Sequence, residues 1–201
     1  MTTKTIFASA AKTVFALAAV VMMSTAFTSC SKDNNDDNGG SPVPNVEDTK
    51  PLPTPKENTV TLDSKEKPIV NAEYEKEIGN NFTLYLYLSS NRAERLEIVL
   101  NKVLHINGTS IVLKHKEVKH ANDEWYWSVD CFNSSGNLFI QTSGRSGDRI
   151  SVFEEGTLTA TGDPEAGTIS IKLENGRVVG TGGNNYTLTL SYSGKITKKK
   201  K

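Results

Sequence analysis

Between residues 82 and 88 the chain alternates without a break: Phe82, Leu84, Leu86 and Leu88 are apolar, and Thr83, Tyr85 and Tyr87 between them carry polar atoms. A period of two puts the two sets on opposite faces of an extended strand, a pattern that one face of a helix cannot satisfy. The pattern returns in Trp125, Trp127, Val129 and Cys131, in Ile169, Ile171 and Leu173, and in Tyr186, Leu188, Leu190 and Tyr192. Asn107-Gly108, Ser135-Gly136, Gly162-Asp163-Pro164 and Asn175-Gly176 separate such runs. Asn-Gly suits a tight hairpin because both central residues of its turn need positive φ. Together these features predict an all-β body over residues 58–201, either an antiparallel β-sandwich or a small barrel built from hairpins.

Residues 92–106 fit two patterns. Ala93, Leu96, Val99, Leu100 and Val103 form a helical stripe, whereas Leu96, Ile98 and Leu100, followed by Leu104 and Ile106, suit a strand. The β-branched content and the following Asn107-Gly108 favour the strand. No fixed period recurs along the chain, so a repeat architecture is not expected.

The N-terminus has a different composition. Lys4 and Lys12 precede an apolar run from Val14 to Met23, and small and polar residues lead to Cys30. This order predicts a secretory signal over residues 1–29, removed on export. Its apolar run is about half the roughly 20 residues a membrane-spanning helix needs. From Ser31 to Glu57 the chain is rich in Asn, Asp, Gly and Pro, a composition that cannot offset the entropy of ordering, so residues 30–57 are expected to be a disordered tether. Asp33, Asn35 and Asp37 mimic the start of a calcium loop, but Asn38 occupies the glycine position and Pro44 that of the bidentate Glu. Calcium binding is rejected there.

Phe27-Thr28-Ser29-Cys30 resembles a lipoprotein signal ending, and Ser31-Lys32-Asp33-Asn34-Asn35-Asp36-Asp37 resembles the acidic export signal of Bacteroidota-type lipoproteins. The resemblance implies lipid attachment, including palmitate, at Cys30 and an outer-membrane address. The cell surface is the favoured location, with the periplasmic face as the alternative. More than one acyl chain on Cys30 would hold stably, since each buried methylene contributes about 0.8 kcal/mol. The Thr-rich strands and the Tyr192-Ser193-Gly194 ending resemble small β domains of unassigned function on such lipoproteins.

Charge excludes a nucleic-acid partner. The whole chain carries 23 basic and 23 acidic residues, and Lys4 and Lys12 leave with the signal. No basic field remains to steer a polyanion the size of a nucleic acid. The run Lys198 to Lys201 is expected to be a frayed, solvated end. Cys131 alternates with the tryptophans and is expected in the core, without a disulfide partner if Cys30 is lipidated.

Chemistry-bearing motifs are scarce. His105, His115 and His120 lack zinc-type spacing and are expected at the surface, with His115 and His120 on opposite faces of a continuing strand. Gly144-Arg145-Ser146-Gly147-Asp148 sits between strands and reads as a loop, and Glu154 and Glu155 point to opposite faces. No metal, cofactor or catalytic group is therefore assigned. Tyr85, Tyr87 and Tyr126 lie opposite the apolar faces of their strands and are candidate ligand-binding aromatics, provided that neither a sheet nor a loop covers them. The expected function is a membrane-anchored, non-enzymatic binding module for a glycan or protein partner. The alternative is a structural subunit of a fimbria-like assembly, although Arg92, the first arginine, falls inside the body rather than in the tether.

Overall fold

The computed structural model describes residues 50–121 and 125–200. The signal, Cys30 and the tether up to residue 49 lie outside the described residues.

The described residues form two six-stranded sheets. The first contains β1 (Thr59–Leu62), β2 (Lys65–Pro68), β6 (Ile111–Val112), β9 (Glu155–Asp163), β10 (Thr168–Val179) and β11 (Asn185–Lys195), in the order β2-β1-β11-β10-β9-β6. The second contains β3 (Asn71–Lys76), β4 (Asn81–Tyr87), β5 (Arg95–Asn101), β7 (Ser128–Phe132), β8 (Leu138–Ser143) and β12 (Thr197–Lys198), in the order β12-β3-β4-β5-β7-β8. Both are open sheets, so the fold is a sandwich and not a barrel. All pairings are antiparallel except β12 with β3.

Register explains why these sequences stack. Ala72, Leu86, Leu96, Cys131 and Ile140 form one row across the second sheet, and Val60, Leu190, Leu173 and Leu158 form one across the first. Both rows belong to one buried cluster with Trp127, Phe82 and Phe153. Each fully buried Leu or Ile contributes about 2 kcal/mol. The outer rows are polar and differ in kind: Glu73, Tyr85, Glu97, Asp130 and Gln141 cross the second sheet, and Thr59, Ser191, Lys172 and Thr159 cross the first.

Several expectations change in detail. The 92–106 segment is a strand only to Asn101; Lys102 to Leu104 turn, and Gly108 donates to Ala160 on the way to the other sheet, so Asn107-Gly108 is not a hairpin tip. Asn175-Gly176 is a bulge within β10, where the register shifts against both neighbours. The bulge also crowds β9, for a Cβ on Gly156 (φ 138°) would lie 3.1 Å from the Gly176 Cα. Ser135-Gly136 and Gly162-Asp163-Pro164 do join consecutive strands. Lys198 is not frayed: it pairs with Tyr74 across the β12–β3 ladder, and the Lys199 amide donates to the Tyr74 carbonyl. Residues 50–57, expected to be tether, touch the body. The Leu52 amide donates to Asn175 Oδ1 at 3.1 Å, and the Lys50 carbonyl accepts from Arg177 Nη2 at 2.6 Å.

Candidate loop site at one end of the sandwich

Between β5 and β7 the chain leaves the second sheet, adds β6 to the first, and returns. Two buried polar centres hold this excursion, and neither is visible in the strand pattern.

The first is the cross-strand pair Asn81 and Asn101, at 0% and 1% exposure. Asn81 Oδ1 accepts from Asn101 Nδ2 at 2.8 Å and from the Trp125 amide at 2.9 Å. Asn81 Nδ2 donates to the Ile78 carbonyl. Asn101 Nδ2 also donates to Gly79 O at 2.9 Å, and its Oδ1 accepts from Val103 N at 3.0 Å and Leu104 N at 3.2 Å. A primary amide carries both donors and acceptors, so two of them can satisfy the loose backbone groups of three chain segments where the ladder ends. The segments so gathered expose apolar side chains: Ile78 at 69%, Val103 at 65% and Trp125 at 41%.

The second centre is Glu117. Its Oε1 lies 2.9 Å from His105 Nε2, and its Oε2 lies 3.3 Å from both His120 Nε2 and the Trp127 amide. Burial alone would push this carboxyl up. The hydrogen bond from His105, then that from His120 and the Trp127 amide, outweigh burial and hold it below the usual carboxylate range. Tyr126 joins through its hydroxyl, which accepts the His120 amide at 3.2 Å, and through its ring, 4.8 Å from that of His120.

His105, Glu117 and His120 bring three residues of metal-ligating type together, with ligand atoms within 4.8 Å of one another. The tautomer of His105 argues against a metal centre. Its Nδ1 accepts the Asn101 amide at 2.9 Å, so the N–H of the neutral ring is on Nε2 and points at Glu117. A metal on Nε2 would need the lone pair that this proton occupies. The same bond excludes a nucleophile-activating dyad, since a triad histidine turns its second nitrogen to a hydroxyl or thiol and here that nitrogen meets a backbone N–H. The centre therefore fastens loops.

The tyrosines named from the sequence divide between two places. Tyr85 and Tyr87 stack at 6.2 Å on the outer face of the second sheet, yet they are only 8% and 3% exposed. Lys199 Nζ lies 3.8 Å from the Tyr85 ring centroid and the Arg92 guanidinium 5.2 Å from that of Tyr87, while Glu75 and Glu73 accept their hydroxyls. Burial first, then nearby Glu97 and Glu75, raises the Tyr85 hydroxyl far above its usual range. Covered and tied in this way, the pair offers no open stacking platform. Tyr126 belongs to the loop site.

Two other sequence expectations also change. Trp125 was expected to share the core face with Trp127, but β7 begins only at Ser128 and Trp125 lies outside the core. His105 is buried at 2% exposure, and residues 115–120 carry no strand. The sequence held one usable signal for these centres: three histidines and two tryptophans within residues 105–127, more than a plain crossover needs. Cys131 is buried as expected, and burial raises its thiol pKa well above the ordinary value.

In comparisons with protein families, with curated proteins and with solved structures, none matches this chain.

Proposed function

We propose that this protein is a lipid-anchored envelope lipoprotein of the Bacteroidota type whose sandwich serves as a non-enzymatic binding module, with the loop end around Asn81 and Asn101 as its binding surface. The observation that carries the proposal is the exposed trio Ile78, Val103 and Trp125 on loops fixed by fully satisfied buried amides. Rigid loops bind with little ordering cost, and an exposed Trp beside polar loop atoms suits the apolar face and hydroxyl edge of a sugar ring. Residue 103 stands by the Asp163 end of β9, because its neighbour Lys102 pairs with Asp163 at 2.7 Å. The N-terminal segment reaches the body at the Glu155 end, where Arg177 binds both Glu155 and the Lys50 carbonyl. Nine residues of β9 separate these ends, about 30 Å at the rise of a strand. Such a layout presents the loops away from the point where the tether arrives.

A glycan array probed with the detergent-solubilised full chain should give hits that Trp125→Ala removes. An empty array together with an empty pull-down against envelope proteins would overturn the binding reading, and ordered polymers of the chain itself would favour the fimbrial subunit. Lipidation has its own test, since radiolabelled palmitate should enter the wild type and not Cys30→Ala.

A further inference from the structure

Residues 50–57 lie across the outer face of the first sheet. Pro51, Pro53 and Pro55 fall at every second position and favour an extended backbone, so the segment runs over β1 and β11 as a strap. Four bonds hold it. At one end Arg177 donates to the Lys50 carbonyl and the Leu52 amide to Asn175; at the other the Thr59 hydroxyl donates to the Lys56 carbonyl at 2.8 Å, and Lys56 Nζ meets Glu66 at 2.9 Å. Between these fastenings lies a cavity of about 240 Å³, with Leu52 and Pro53 on the strap side and Thr61, Ser64, Thr187 and Thr189 on the sheet side.

Thr189 points to what the cavity is for. Along the outer face of β11, Ser193 is exposed, Ser191 is half-buried, and Thr189, under the strap, is only 5% exposed. Thr59 is covered to a similar degree, at 6%, but its hydroxyl is satisfied by the Lys56 carbonyl. The Thr189 hydroxyl has no partner among the described residues, and neither do those of Thr61 and Ser64. Trp127 Nε1 is the one partnerless polar side-chain atom sealed from solvent among the described residues, so the Thr189 oxygen opens onto the cavity. Covering a hydroxyl without a partner is unfavourable, and whatever fills the cavity must therefore supply a hydrogen bond.

We infer that the cavity under the strap is a second binding site, separate from the loop end, and that it takes one uncharged sugar ring. Its volume lies below the range of about 300–1,000 Å³ that holds drug-sized ligands, so it suits a single ring and not a chain. The two walls differ in kind. Hydroxyls on the sheet side both donate and accept, as the hydroxyl edge of a sugar does, while Leu52 and Pro53 offer apolar surface to the C–H face of the ring. The only charged residues lining the cavity, Lys56 and Glu66, pair with each other and leave no net charge to select an ion. A ring touching both walls favours the closed strap by mass action.

The test follows hydrogen exchange in the detergent-solubilised full chain with D-glucose, D-galactose, D-mannose, N-acetyl-D-glucosamine, D-glucuronate or sucrose added. Expected is saturable slowing at the Leu52 amide by at least one of the neutral monosaccharides, with no change at Trp125 and with slower proteolysis after Lys56. Thr189→Val keeps the shape and removes the hydroxyl. It should be at least as stable as wild type in urea, yet need about fivefold more sugar for the same protection. Trp125→Ala, which acts on the loop end, should leave that protection unchanged. Slowing by no monosaccharide would overturn the inference, as would equal slowing by sucrose or at Leu52 and Trp125 alike, the general stabilisation that excluded cosolutes give any fold. Stronger protection by glucuronate would overturn the uncharged class. A Thr189→Val variant that is less stable than wild type, or protected as well as wild type, would show that the hydroxyl serves no ligand.

Discussion

Glu117 and Asp130 are two half-buried carboxylates driven in opposite directions by their surroundings. Glu117 accepts from two histidines and a backbone amide, and its carboxyl is held low despite burial. Asp130 has only the Thr142 amide, at 3.3 Å, and stands opposite Glu97 across the β5–β7 ladder. Burial first, and then the neighbouring Glu97, raises it to about 6. Similar burial produces opposite outcomes because partners decide whether the charged form is welcome. The difference also separates roles. Glu117 fastens the loop end, whereas Asp130 is an uncompensated charge on the outer face of a sheet whose fold does not depend on it.

Asn101→Ala should have the largest effect and supplies a reference with no titrating group. It strips partners from Asn81, Gly79, Val103 and Leu104 at once, and each buried polar group left unmet costs roughly 1–3 kcal/mol. A loss of about 4 kcal/mol is expected in urea unfolding, constant between pH 5 and pH 8. A loss under about 1 kcal/mol would mean that the amide pair is incidental to the loops.

Glu117→Gln comes next and carries a pH signature. A carboxyl whose folded pKa is lowered contributes stability above its unfolded value, near 4.5, and loses it as pH falls through the folded value. The variant should therefore be about 2 kcal/mol less stable than wild type at pH 7, with the gap narrowing as pH falls below 4.5 and through the lowered folded value. A gap that stays constant from pH 7 down to the lowest pH at which the chain is folded would point to shape rather than charge.

Asp130→Asn should change sign. A carboxyl raised in the folded state gives most stability when protonated, and that contribution is lost as pH rises from 3.8 through about 6. At pH 8 the variant should gain on the order of 2 kcal/mol, within the limit of about 3 kcal/mol set by 1.4 kcal/mol per pKa unit. The gain should vanish near pH 4. Destabilisation at pH 8 would reveal a cationic partner that the described residues do not supply.

The all-β body was legible in the sequence because alternation is a local signal: Phe82 to Leu88 reports its own burial; the choice of sandwich over barrel was not, since it depends on whether the sheet edges meet. The loop end was not, because its determinants are distant in sequence. Asn81 and Asn101 are twenty residues apart and become a pair only when β4 and β5 register. His105, Glu117 and His120 meet through turns that follow no period. Alternation also overran its range at Trp125, since an extended chain keeps the same pattern after its ladder bonds end. Asn175-Gly176 misled for a related reason: positive φ, 53° at Asn175, serves a bulge as well as a hairpin.

That bulge carries the smallest effect and tests whether burial sets the stakes for uncharged contacts. Asn175 uses its amide on two partners, donating from Nδ2 to Glu155 Oε2 at 3.2 Å and accepting the Leu52 amide at Oδ1. Glycine tolerates the same backbone conformation, so Asn175→Gly removes the side chain without adding strain. The Leu52 contact is only partly buried, and water can replace much of what is lost. A decrease of about 0.5–1 kcal/mol is expected, with no dependence on pH between 5 and 8. Hydrogen exchange should quicken at the Leu52 amide and stay unchanged at Trp125, which rests on the Asn81 amide at the other end of the sandwich. Faster exchange at Trp125 as well would show that the two ends do not open independently, and the fully buried amide pair would then not be what isolates the loops.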